Sequence, residues 1–171
     1  MITLRRQKET PPTYPVIPDT PTGVDADAVW QRLEQWIAYR WPVREVEWIV
    51  MGNGEFQPPL AECEITQVER SEGAGWAVVS DPIYSPLGVV LTGAYHRVTA
   101  NVGSDDDPPP AVAEAFRRLA QYLADVSKPG LSSHTATVGD LSEHRTMNAA
   151  AAARAIHYSG AGDLLRPWRH A

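Results

Sequence analysis

Two stretches of apolar residues at helical spacing, separated by a run that alternates with period two, constrain this chain most. From Asp25 to Trp41 the large side chains fall at Val29, Trp30, Leu33, Trp36, Ile37 and Trp41, the stripe of a helix facing a core. Asp25 is placed to cap the free amides at its start, Asp27 adds negative charge there, and Pro42 is expected to stop it. Val112, Phe116, Leu119, Tyr122, Leu123 and Val126 repeat the pattern, with Arg117 and Arg118 off the stripe. For this second helix Asp107 is the expected cap, the prolines after it fit a first turn, and the helix ends before Lys128-Pro129-Gly130.

Between the helices the period changes. Val46, Trp48 and Val50 alternate with Glu45 and Glu47, a half-buried strand, and Gly52-Asn53-Gly54 is expected to be a hairpin turn. Further short strands are expected over Leu60 to Glu69, Trp76 to Val79, Leu87 to Leu91 and Tyr95 to Val102, with a turn over Ser71 to Gly75. Val98, Ala100 and Val102 share one face. Four or five such strands predict an antiparallel sheet or a small β-sandwich.

The flanks read differently. Residues 1–23 hold five of the fifteen prolines and are expected to form an extended, poorly packed lead-in, with Arg5, Arg6 and Lys8 as solvated cations. Leu131 to Glu143 is rich in Ser, Thr, His and Gly, so it is expected to be an extended arm or loop. An alanine-rich helix is expected from Met147 to Tyr158, followed by a tail with Leu164, Leu165 and Trp168 among arginines. The predicted fold class is α+β. Two longer helices form a core with an inserted antiparallel β block, and an extended C-terminal arm ends in a short helix. The division is a lead-in over 1–23, a helix–β–helix core over 24–126, and an arm and helix for assembly over 127–171.

Composition narrows the function classes. The net charge of −6 provides no global basic field to hold nucleic acid. Cys63 is the single cysteine, so no disulfide forms within the chain, and no reactive signature surrounds it. The opening MITLRRQKETPP lacks an apolar run of signal-peptide length, and no stretch is long enough for a membrane span.

Few residues point to chemistry. His134, Asp140, Glu143 and His144 could bind a metal or transfer protons, but their spacing matches no zinc or hydrolase pattern. Asp105-Asp106-Asp107 lacks the alternating ligands and distal glutamate of a calcium loop. Gly52-Asn53-Gly54 is too short to cradle a phosphate. No catalytic residue, metal or cofactor is expected, and the chain is read as a non-enzyme. Of the six tryptophans, five fall in or beside regular elements and are expected mostly in the core; Trp168 stands apart, after Pro167 and between Arg166 and Arg169. It is read as an anchor for a partner, the alternative being a terminus tucked back on its own domain.

Three segments carry a family resemblance: Pro108-Pro109-Pro110 with the helix running to Ala124, the arm from Gly130 to Asp140, and the terminal stretch from Ala153 to Arg169. Together they resemble the head–tail adaptor, or connector, family of tailed bacteriophages and gene transfer agents. The resemblance implies a subunit of a dodecameric ring beneath the portal protein, joined to neighbouring copies and to a downstream stopper or tail protein. DNA would pass through the lumen without sequence-specific binding. It also implies a place in the particle neck, assembled in the bacterial cytoplasm, with no membrane contact. The expected portal-facing or neighbour-facing residues are His157, Tyr158, Leu164, Leu165, Arg166, Pro167, Trp168 and Arg169. The β block departs from the shortest, nearly all-helical members.

Other readings stay open. One is a different neck protein, a stopper or tail-terminator. Another is a β-rich ligand-binding module using Trp48 and Trp76 as a platform. The last is a small hydrolase or metalloprotein using His134 and His144.

Overall fold

The computed structural model describes residues 1–126, 133–138, 141–146 and 154–169, the two middle stretches by their backbone course. The chain is mixed α+β and divides into two compact units. One unit, from residues 1–15 and 38–107, holds the strands β1 (Thr3–Glu9), β2 (Arg44–Met51), β3 (Gly54–Phe56), β4 (Cys63–Glu72), β5 (Gly75–Val78), β6 (Ile83–Ser85), β7 (Gly88–Leu91) and β8 (Tyr95–Val102). The other, from residues 16–37 and 108–169, holds α1 (Ala26–Trp36), α2 (Pro110–Val126), a ribbon of β9 (Ser133–Val138) and β10 (Leu141–Thr146), α3 (Ala155–Tyr158), α4 (Ala161–Leu164) and a 3-10 turn (Arg166–Trp168).

In the β unit, five strands form an antiparallel sheet in the order β1-β2-β8-β4-β5, and three form a second in the order β3-β7-β6. Alternation explains the core. Val46, Trp48 and Val50 of β2 and Val98, Ala100 and Val102 of β8 are fully buried, clustered with Phe56, Leu60, Val68, Val89 and Leu91. The Trp48 indole N–H donates to Gln7 Oε1 at 2.9 Å, so the ring is buried without an unsatisfied polar group.

Residues 3–9 are not the loose lead-in expected. They form an edge strand, paired with β2 from Thr3 opposite Met51 to Glu9 opposite Val46. Every side chain from Thr3 to Lys8 is exposed, so no apolar alternation marks the strand in the sequence; the ladder and its end contacts hold it. Glu9 accepts from Arg40 at 2.9 and 3.0 Å and lies 3.5 Å from Arg44. Burial raises the Glu9 pKa, but the Arg40 and Arg44 guanidinium groups more than offset this and leave it below the usual glutamate range.

The Gly52-Asn53-Gly54 bend is not a hairpin. It carries the chain from β2 in the larger sheet to β3 in the smaller. Gly52 has φ +117°, and a Cβ there would lie 2.2 Å from the Met1 carbonyl oxygen, so only glycine fits.

In the helical unit, the Asp25 side chain accepts from the N–H groups of Asp27 and Ala28, as expected of a cap. The helix stops at Trp36, not at Pro42. Ile37 turns extended (φ −117°, ψ 160°), and the next carbonyls serve the β unit: Ala38 O accepts from Ala61 N–H at 2.7 Å and Arg40 O from Ser104 N–H at 3.2 Å. α2 starts at Pro110, with the Pro109 carbonyl accepting from Val112 and Ala113. Asp107 is therefore too early to cap it, and Asp105 instead accepts from Val43 N–H at 3.0 Å. The α2 stripe Val112, Ala115, Phe116, Leu119 and Ala120 is buried, and Phe116 meets Trp30 of α1 at 5.1 Å between centroids.

Part of the segment expected as an arm or loop is strand. β9 and β10 pair antiparallel, from Ser133 opposite Thr146 to Val138 opposite Leu141. Of the alanine-rich helix expected over Met147 to Tyr158, Ala155–Tyr158 is helical; residues 147–153 lie outside the described residues.

A candidate partner-binding site in the helical unit

α1 ends in Trp36, half-buried, and the C-terminal segment gathers around its ring. His157 of α3 meets it edge-on, with centroids 4.7 Å apart at 88°. Gly160, at φ +73°, turns the chain between α3 and α4, where a side chain is disfavoured. Gly162 faces the indole: a Cβ there would come within 3.7 Å of Trp36 Cζ2. Past the 3-10 turn, the Arg169 guanidinium carbon sits 4.5 Å from the Trp36 centroid, a cation–π contact.

These residues, with Asp163 and Arg166, line a cleft of about 220 Å3. A second, of about 390 Å3, shares Trp36 and His157 and adds Arg32, Gln35, Arg154 and Ile156. Arg32, Arg154, Arg166 and Arg169 line the two clefts beside one indole. Among the described residues Asp163 is the single carboxylate lining either cleft, and it pairs with Arg166 at 2.9 Å. That pair is exposed on both sides and contributes little to stability. The Trp36 Nε1 hydrogen is buried and, among the described residues, has no acceptor. Aromatic and arginine side chains clustered around a pocket are the usual composition of a binding hot spot.

The expected contact residues fall into three groups. His157, Arg166 and Arg169 are exposed and line the clefts. Tyr158 is exposed, 6.4 Å from the Tyr122 ring, and Pro167 is exposed in the 3-10 turn. Leu164 and Trp168 are half-buried, while Leu165 is wholly buried and serves the unit's own core. Sequence reasoning missed Trp36, Arg32 and Arg154. Trp36 fits the α1 stripe, so periodicity assigned it to the core.

The β unit accounts for its own charged groups. Arg97 binds Glu69 through two hydrogen bonds, one of 2.7 Å, and lies over the Trp76 ring at 5.0 Å. Hydrogen bonding from Arg97 holds the Glu69 carboxyl below its usual range. Burial pushes the Cys63 thiol up to about 11, so it is protonated at neutral pH. Trp48 is fully buried and cannot share a binding platform with Trp76. His134 stands opposite Arg145 in the ribbon and His144 opposite Thr135, one register step apart; Asp140 lies outside the described residues. Among the described residues no group of three or more His, Cys, Asp or Glu is placed to hold a metal, and no helix is long and apolar enough to cross a membrane.

No family model, curated protein or solved structure matches the chain.

Proposed function

We propose that this chain is a structural head–tail adaptor: a ring-forming subunit that sits beneath the portal of a tailed phage or gene transfer agent and joins head to tail around a DNA channel. The observation that carries the reading is the basic, aromatic-floored cleft around Trp36. It is built from the terminal segment whose sequence resembles the adaptor family, and it offers arginines to a carboxylate-bearing partner. The portal is that partner in this reading. Charge is divided between the units in the same sense. The β unit carries twelve of the 21 acidic residues and seven of the 15 basic ones, so a lumen lined by it would let DNA slide. The particle neck, assembled in the bacterial cytoplasm, is where such a subunit works.

The test is co-sedimentation of the full chain with the portal of the same particle, wild type against Arg169→Glu and His157→Glu. Charge reversal at either exposed position should weaken portal binding at least tenfold, against a stability cost of about 0.5–1 kcal/mol from the lost contact with Trp36. Equal binding by all three proteins would remove the cleft from the interface. Binding to a lower tail ring with no affinity for the portal would replace the adaptor reading with that of a tail-terminator.

A further inference from the structure

The five-stranded sheet has an opening in its ladder. β4 runs from Cys63 to Glu72, but β5 pairs only with Glu69 to Glu72. Cys63 to Ile65 and Gln67 pair with β8 on one side, with a bulge at Thr66, and among the described residues have no neighbouring strand on the other. A row of unpaired backbone N–H and C=O groups is a template for another strand. Beside it lies a cleft of about 360 Å3, with Cys63 and Ile65 on one wall and Tyr84, Pro86 and Leu87 on another. Tyr84 is 56% exposed and Leu87 58%, so apolar surface borders the open ladder. The sheet's outer edges offer less. β1 carries exposed Arg5, Arg6 and Lys8, the charges that blunt an edge, and β5 is four residues long.

The same chain holds strands that lack a neighbour. β9 and β10 pair with each other and, among the described residues, with no third strand. A two-stranded ribbon is marginally stable at best in water, so docking on another sheet would stabilise it. β9 reads Ser-His-Thr-Ala-Thr-Val, with β-favouring residues and no carboxylate, lysine or arginine, whereas β10 contains Glu143 and Arg145. Exposed Glu62 and Glu64 flank the opening in β4. A charged strand would bring Glu143 against the β4 glutamates and desolvate Arg145 beside the apolar cleft, which favours the uncharged β9.

We propose that the open edge of β4, Cys63 to Gln67, is a strand-docking site that receives β9 of a second copy of this chain. The inference rests on the ring-subunit reading and names its neighbour contact. Main-chain hydrogen bonds supply the attachment, and the cleft beside Ile65 and Leu87 adjoins the new strand pair. The contact joins different surfaces of the two copies, so repetition with rotation closes a ring.

The experiment uses two full-length proteins in a Cys63→Ser background, one carrying Glu64→Cys and the other Thr135→Cys. They are concentrated together with a short bismaleimide, with and without the portal. A covalent heterodimer is expected, at least tenfold above the yield when Asp19→Cys replaces Thr135→Cys. Adding Thr137→Pro to the β9 partner should remove it, because proline cannot donate to the new ladder. A yield no higher than the Asp19→Cys control overturns the proposal, as does a yield that Thr137→Pro leaves unchanged. Electron microscopy of the same mixtures separates the two claims. Portal-bound rings without the link overturn strand docking alone; the link without a portal-bound ring supports strand docking and overturns the adaptor reading.

Discussion

Leu165→Ala asks whether the C-terminal segment belongs to the fold of the helical unit or stands free for a partner. Leu165 has no exposed surface, although it lies six residues from the chain end. Ala161, whose carbonyl accepts from Leu165 N–H, and Ala155 of α3 are also buried. Truncating a fully buried leucine costs about 2–5 kcal/mol, from lost transfer energy and the cavity left behind. At a urea dependence of about 1–3 kcal/mol/M, that moves the midpoint of the helical unit down by roughly 0.7–5 M. The two units need not melt together, so the readout is amide hydrogen exchange at Phe116 and Leu119 of α2 across a urea series. Tyr158→Ala is the control: the ring is 57% exposed, and the change should fall within about 0.5 kcal/mol. If Leu165→Ala and Tyr158→Ala leave α2 exchange equally unchanged, the segment is not part of the unit's core. The same reasoning makes point substitution a better probe of the cleft than deletion of residues 160–171, which also removes Ala161 and Leu165 from the interior.

Stability of the β unit should fall as pH drops below about 6.5, because burial holds His96 neutral and depresses its folded pKa while the unfolded chain takes up the proton. The loss accrues at no more than about 1.4 kcal/mol per pH unit and stops below the folded pKa. His96→Phe should flatten the dependence, and equal slopes for both proteins would refute it. Glu9 acts in a lower window: its depressed pKa gives stability that is present above about 4.5 and lost as pH falls below it. Glu9→Gln should therefore loosen β1 at pH 7, and the wild type's advantage over it should narrow at pH 3, read by exchange at Gln7 and Trp48. Gly52→Ala should cost about 1–3 kcal/mol, since its conformation suits glycine and a Cβ would strike the Met1 carbonyl; an unchanged melting temperature would contradict that geometry.

Much of the fold was legible where side-chain burial follows a regular period. Val46, Trp48 and Val50 predicted β2, and Val112, Phe116 and Leu119 predicted α2, because each set faces a core through its own backbone repeat. β1 was hidden for the opposite reason: its side chains are exposed, and its pairing depends on β2 and on Arg40 binding Glu9. The end of α1 was misplaced because Ile37 and Trp41 continue the helical stripe, while Ala61 and Ser104, distant in sequence, take the carbonyls that follow. At the site, the terminal arginines and His157 could be read from composition. Their shared floor could not, since a tryptophan on an amphipathic stripe gives no sign that a distant arginine will stack on it.

Electron microscopy of the intact particle neck tests the central claim most directly. The account predicts a closed ring of this chain directly beneath the portal, with His157, Arg166 and Arg169 against portal carboxylates. A neck in which the chain forms no ring, or a ring that leaves the portal untouched, would contradict it.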